Sequence, residues 1–225
     1  MFVNQLKFGG VNEMKKSCVL CVALFALCAF ASTASASYVL SGEKVKVFDG
    51  AGDAGQSGSR SGGAFDLVVQ NSTRSFRTFC LELNEFLTFD VVYDVSVSNE
   101  AVEGGIGGGS PDPISKATAY LFHKWQNDIA KGADVQLAIW YAEEEIGIAS
   151  LTADALTLYN DAVAATAGDT EAYWWSMVGV ANLLQGNTHK QSVLTRVPEP
   201  ASVAVWGFIA SVFGGGMYLR RRRNA

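Results

Sequence analysis

The sequence predicts an α+β fold, a β-sandwich or barrel carrying a helical insertion, with an apolar segment at each end of the chain. Three observations predict it. From Ser37 to Val97 the chain passes through short β-rich stretches separated by polar breaks. From Asp112 the apolar spacing lengthens to three and four residues, the period of a helix. Gln191 to Val197 then returns to a strand pattern. Strands, a helical block and a closing strand, in that order, suggest α+β.

Ser37 to Phe48 reads as the first strand, carried by Lys44-Val45-Lys46-Val47. Asp49 to Gly63 is rich in Gly, Ser and Asp and reads as a mobile loop. Ala64 to Gln70, Phe76 to Leu83 and Phe86 to Val97 read as strands, with Asn84-Glu85 as a turn. Glu103 to Asp112 is glycine-rich but lacks the context of a phosphate loop, and reads as a flexible connection. Asp112-Pro113 offers a helix start, followed by Ile114, Ala117, Leu121 and Trp125 on one face and an end toward Gly132. Asp134 offers a second cap, before Val135, Ala138, Ile139, Ala142 and Ile146. Thr152 to Ala165 and Glu171 to Leu184 read as further helices.

The ends carry different information. Met14-Lys15-Lys16, the apolar run Cys18 to Phe30 and Ala34-Ser35-Ala36 form, in order, a positive region, a 13-residue hydrophobic core and a small-x-small cleavage site. Residues 1–36 therefore read as a secretory signal peptide, with either Met1 or Met14 as the start. Ala201 to Leu219 is 19 residues without a charge, long enough to cross a bilayer as a helix. Arg220, Arg221, Arg222 and Arg223 follow and would stay cytoplasmic. Pro198-Glu199-Pro200 stands just before the apolar stretch. Those three parts, spanning Val197 to Ala225, resemble the PEP-CTERM sorting signal. The resemblance implies an exosortase-type processing enzyme as partner, and delivery to the cell surface or extracellular matrix after a membrane-anchored stage.

Residues 37–197 remain as one ectodomain. Between Ser37 and Arg196 there are 10 basic and 20 acidic residues, a formal charge of −10. Such a surface repels phosphate backbones and argues against nucleic-acid partners. Of four cysteines, Cys18, Cys21 and Cys28 fall in the signal segment, so the mature chain keeps Cys80 alone and cannot form an internal disulfide. With His123 and His189 as the only histidines, a Cys/His metal site is not expected, and no cofactor is implied. Glu143-Glu144-Glu145 reads as a solvated helix face, and no Gly-x-Ser-x-Gly elbow supports a hydrolase.

Two segments stand out together: Thr78-Phe79-Cys80-Leu81-Glu82, and Asp134-Val135-Gln136-Leu137-Ala138-Ile139-Trp140-Tyr141. They resemble the signature motifs of bacterial thioester domains, an aromatic-Cys strand and a Gln-x-Ala-Ile-Trp helix start. Ala117 to Phe122 and Ala155 to Tyr159 resemble that family's helical block, so the likeness spans Phe76 to Asn160. It implies a Cys80–Gln136 thioester that captures an amine, in the first place a lysine, on a surface or matrix target. That is single-use covalent adhesion, not a turnover enzyme.

The residue types suit that chemistry. A cysteine sulfur can attack a glutamine carboxamide and expel ammonia if the two groups are held in contact, and such positioning supplies about 7–11 kcal/mol. Gln136 is expected in the first turn of its helix, where free N–H groups and the helix dipole favour a thiolate and an oxyanion. Phe79, Trp140 and Tyr141 are the expected shield against water. The alternative is a non-covalent matrix or carbohydrate-binding module with an ordinary buried cysteine, in which Trp174-Trp175 stack on sugars or pack in the core.

Overall fold

The computed structural model describes residues 38–53 and 62–198. The expected signal peptide, Glu199, Pro200, the apolar stretch 201–219 and Arg220 to Arg223 lie outside the described residues. Among the described residues no helix is long and apolar enough to cross a membrane.

Six strands form one antiparallel sheet. They are β1 (Lys44–Asp53), β2 (Gly63–Val69), β3 (Ser75–Thr78), β4 (Val92–Ser98), β7 (Val178–Gln185) and β8 (Thr188–Arg196), in the spatial order β3-β2-β1-β4-β7-β8. A two-residue pair, β5 (Glu100–Ala101) and β6 (Asp112–Pro113), brackets the glycine-rich segment. Alternation places the strands: Val45 and Val47 are buried while Lys44, Lys46 and Phe48 are not, and β4 buries Tyr93 and Val95 between exposed neighbours.

The sheet then curls until its edges meet. Past the end of β3, the Leu81 N–H donates to the Ser192 carbonyl at 3.0 Å, and the Leu194 N–H donates to the Phe79 carbonyl at 3.2 Å. Cys80 and Val193 pair between them. The continuation of one edge strand thus covers the backbone of the other, so both are partnered.

The helical block packs on this sheet. It comprises α1 (Lys116–Trp125), α2 (Gly132–Ala142), α3 (Ala153–Thr166) and α4 (Glu171–Trp175). Ser115, Thr152 and Thr170 cap α1, α3 and α4 with their side-chain oxygens. Two apolar clusters result. One, with Phe79, Leu81, Phe122 and Ile139, lies toward the helices. The other holds Val45, Leu67, Tyr93, Leu183 and Val193 together with Cys80 and Trp140.

Several elements differ from expectation. Asp112-Pro113 is strand β6, not a helix start; Ser115 is the cap, and α1 ends at Trp125, well short of Gly132. α2 begins at Gly132, so Asp134 lies inside its first turn and caps nothing. β1 runs on to Asp53, past the expected loop boundary at Asp49, while the strand expected over Phe86 to Val97 begins only at Val92. The helix expected over Glu171 to Leu184 stops at Trp175, and β7 takes the rest. Six successive residues of β7 are buried, so both faces are covered and the strand shows no period of two. The two-residue turn Gly186-Asn187, with Gly186 at φ 63°, joins β7 to β8.

Candidate functional site

Cys80 and Gln136 meet, although they are far apart in sequence. β2 and β3 pair in the register Phe65↔Thr78 and Asp66↔Arg77. Continued by two residues, that register would set Gly63 opposite Cys80. The ladder stops instead, and the Gln136 carboxamide from α2 enters the gap. Its Oε1 accepts the Cys80 N–H at 3.0 Å and the Gly63 N–H at 3.3 Å. Its Nε2 donates to the Cys80 carbonyl at 2.9 Å. Gln136 is completely buried and Cys80 is 4 % exposed.

Two backbone N–H groups on one carbonyl oxygen are the arrangement that stabilises negative charge building on that oxygen. Here it polarises the side-chain carbonyl carbon of Gln136. The donors differ from those the sequence suggested. Because α2 starts at Gly132, Gln136 lies beyond the first turn and its free N–H groups. The donors come from the splayed β2–β3 ladder instead.

The expected thiolate is corrected as well. Burial pushes the Cys80 thiol well above its ordinary value, and the carboxyl groups of Glu85 and Glu82 push it further. The resting cysteine is a neutral thiol. It is the free cysteine among the described residues.

Of the three expected shielding residues, only Trp140 shares a cluster with Cys80. It lies one helical turn beyond Gln136, on the same face, and is 2 % exposed. Phe79 is buried but belongs to the other cluster, edge-on to Phe122 with ring centres 6.5 Å apart. Neighbouring residues of an extended segment project to opposite sides, so Phe79 braces the strand from behind. Tyr141, half-buried, packs edge-on against Tyr159 of α3 at 4.7 Å. Pro198 is the last described residue of the sorting motif. Trp174 and Trp175 pack inward: their indole N–H groups donate to Asp169 and to the Ile114 carbonyl.

A second buried polar group adjoins the first. Glu143 and Glu145 are buried, correcting the reading of a solvated face; only Glu144 is exposed. The chain turns sharply after α2, with Glu144 at φ 63°, and directs its two neighbours inward. Glu143 accepts the Ser115 N–H and the Thr118 hydroxyl. Glu145 accepts the Leu83 N–H at 2.7 Å and the Gly107 N–H at 2.9 Å. Glu82 lies beside it, 2 % exposed, with no partner for Oε2 among the described residues. A Cβ on Gly105 would overlap oxygens of both Glu82 and Glu145. The glycine-rich segment is therefore a backbone seat for carboxyl groups, not merely a flexible connection.

Burial, then repulsion from Glu145, Glu85, Asp112 and Glu143, raises Glu82 to about 9. Burial raises Glu85 to about 7, against the hydrogen bond it accepts from the Ser192 N–H at 2.8 Å. Glu82 is therefore neutral at pH 7. The sequence reading missed Gly63, Glu82 and Glu145. The Gly62-Gly63 pair at the mouth of a strand is the signal that could have found the first, since glycine there marks a close backbone approach. Nothing local marks the two glutamates.

Comparison with protein-family models, with curated proteins and with solved structures found no match to this chain.

Proposed function

We propose that this domain forms an internal thioester between Cys80 Sγ and Gln136 Cδ and uses it once, to attach covalently to an amine on a partner. The observation that carries the reading is the pair of N–H groups, from Gly63 and Cys80, on Gln136 Oε1. In the first step the thiol adds to Cδ, and the oxygen takes negative charge against those two donors. The C–N bond then breaks, and ammonia leaves with the thiol proton. Sγ–Cδ is the new bond, with no oxidant or cofactor needed. In the second step a partner amine, in the first place a lysine, adds to Cδ. Cys80 leaves as a thiol with one amine proton, and an amide bond remains.

Burial supports this assignment. A thioester open to water hydrolyses, whereas Cys80 and Gln136 lie within a closed sheet beneath Trp140. We read that curled sheet as a barrel with the helical block inserted between its fourth and fifth long strands. The signal-like leader and the PEP-CTERM-like tail assign the domain to the cell surface or extracellular matrix. An exosortase-type enzyme would process it, and the bond would tether matrix or a neighbouring cell.

One observation favours a second reading. The three hydrogen bonds of the Gln136 carboxamide also suit an ordinary buried glutamine that completes a broken ladder. Intact mass separates the two. The thioester reading expects freshly folded protein one ammonia lighter than its sequence, methylamine attached at Gln136, and neither in Cys80→Ala. Full sequence mass in folded wild type establishes the non-covalent module instead.

A further inference from the structure

Trp140 and Gln136 stand one turn apart on α2, and Gly62 and Gly63 at the start of β2 lie against them. Gly63 in that turn supplies an N–H to Gln136 Oε1. Gly62, one residue earlier, has φ +42° and lies directly on the indole. A Cβ at Gly62 would overlap Cη2, Cζ2 and Cζ3 of Trp140, all on the six-membered ring. Left-handed backbone and the absence of a side chain are thus both required at this one position.

Among the described residues the indole has no polar anchor: its Nε1–H is buried without a partner. Among those residues the ring is held by packing, within the cluster that contains Cys80 and against Gly62. The ring in turn is the surface on which the Gly62–Gly63 backbone rests.

We infer that Gly62 is a positioning residue: its contact with Trp140 holds the Gly63 N–H on Gln136 Oε1, so that the oxyanion donor set is completed by a side-chain-free turn seated on an indole. The role of that set in forming and opening a thioester rests on the function proposed above; the seating of the Gly63 N–H does not. Trp140 then acts as a template for one of the two donors, besides covering the bond.

The test follows ammonia loss by intact mass during refolding, together with amide hydrogen exchange at Gly63. The proteins are wild type, Gly62→Ala and the double variant Gly62→Ala/Trp140→Phe. Gly62→Ala should fold, expose the Gly63 amide to exchange, and lose ammonia about tenfold more slowly or worse, since outright removal of such a donor costs about 100-fold or more. The double variant should recover part of both protection and rate, the left-handed strain of the alanine remaining. Left-handed strain is common to both variants, so recovery reports the ring contact alone. Wild-type protection and rate in Gly62→Ala, or no recovery in the double variant, would overturn the inference. Should Gly62→Ala not fold, Trp140→Leu removes the ring with Gly62 intact, and unchanged Gly63 protection there overturns it equally. If wild type loses no ammonia, the thioester reading fails, while Gly63 exchange still decides the positioning role.

Discussion

The segment after β3 is reached twice, by Gln136 from within α2 and by Glu145 from the turn that follows it, and the two contacts are built on opposite principles. Gln136 meets the Cys80 backbone as a neutral group, and both atoms of its carboxamide are hydrogen-bonded. Glu145, just past the helix, holds the Leu83 and Gly107 N–H groups but is crowded by Glu82, whose Oε2 has no partner among the described residues. The first contact is complete at any pH. The second depends on a proton that keeps Glu82 neutral. A buried polar group is stable when its bonds are all made, and a buried acid without a counter-charge is stable only while protonated.

Breaking the neutral contact should have the largest effect. Gln136→Leu leaves the Gly63 N–H, the Cys80 N–H and the Cys80 carbonyl unpaired, each costing about 1–3 kcal/mol. In a Cys80→Ala background, where no cross-link can form, urea unfolding should show a loss of about 3 kcal/mol or more. A loss below about 1 kcal/mol would mean that water replaces the amide and that the gap in the ladder is wet.

The acidic contact should appear next, as a pH dependence. Glu82 is raised from its usual 4.5 to about 9, so the folded chain keeps a proton that the unfolded chain has lost over that interval. Its contribution is fully present below about 4.5 and is lost as pH rises toward about 9. Glu85 and Glu143, each raised to about 7, add the same sign of slope at lower pH. Denaturation midpoints should therefore fall as the solution is made alkaline. Glu82→Gln should keep only the part of that fall below neutrality, and a wild-type slope in this variant would show that another group carries the proton.

Gly105→Ala should cost about 1–3 kcal/mol, because its methyl meets Glu82 and Glu145 oxygens that cannot both retreat from a packed interior. The loss should shrink in Glu82→Ala, which vacates one of the two; equal losses in both backgrounds would separate Gly105 from the acidic contact. The smallest effect belongs to Tyr141→Phe. It keeps the Tyr159 packing and should shift stability by no more than about 0.5 kcal/mol, with ammonia loss unchanged.

The sequence reading reached the α+β class and the succession of strands, a helical block and a closing strand, because alternation and helical spacing are local signals. Its failures share one cause. β7 is buried on both faces, so the period that marks a strand is erased. Asp112-Pro113 has the chemistry of a helix start, but pairing with Glu100–Ala101 claims it first. Glu143 and Glu145 read as solvated because charged triplets usually are, and only the turn at Glu144 directs them inward. Cys80 and Gln136 are singled out by a motif resemblance, and the structure brings them into hydrogen-bond contact. Gly63 as donor could not be found that way, since it depends on where the β2–β3 ladder stops.

The closure of the sheet has a consequence for timing. Cys80 is backed by Val193, and the bonds that fasten its segment come from Ser192 and Leu194. These belong to β8, the last described strand, so contacts far apart in sequence must form before the cysteine is fixed in place. A partly folded chain can hold both Cys80 and Gln136 and still lack the contacts that bring them together. On the thioester function proposed above, assembly order would act as a safety catch, since the pair is held in place only once β8 has docked.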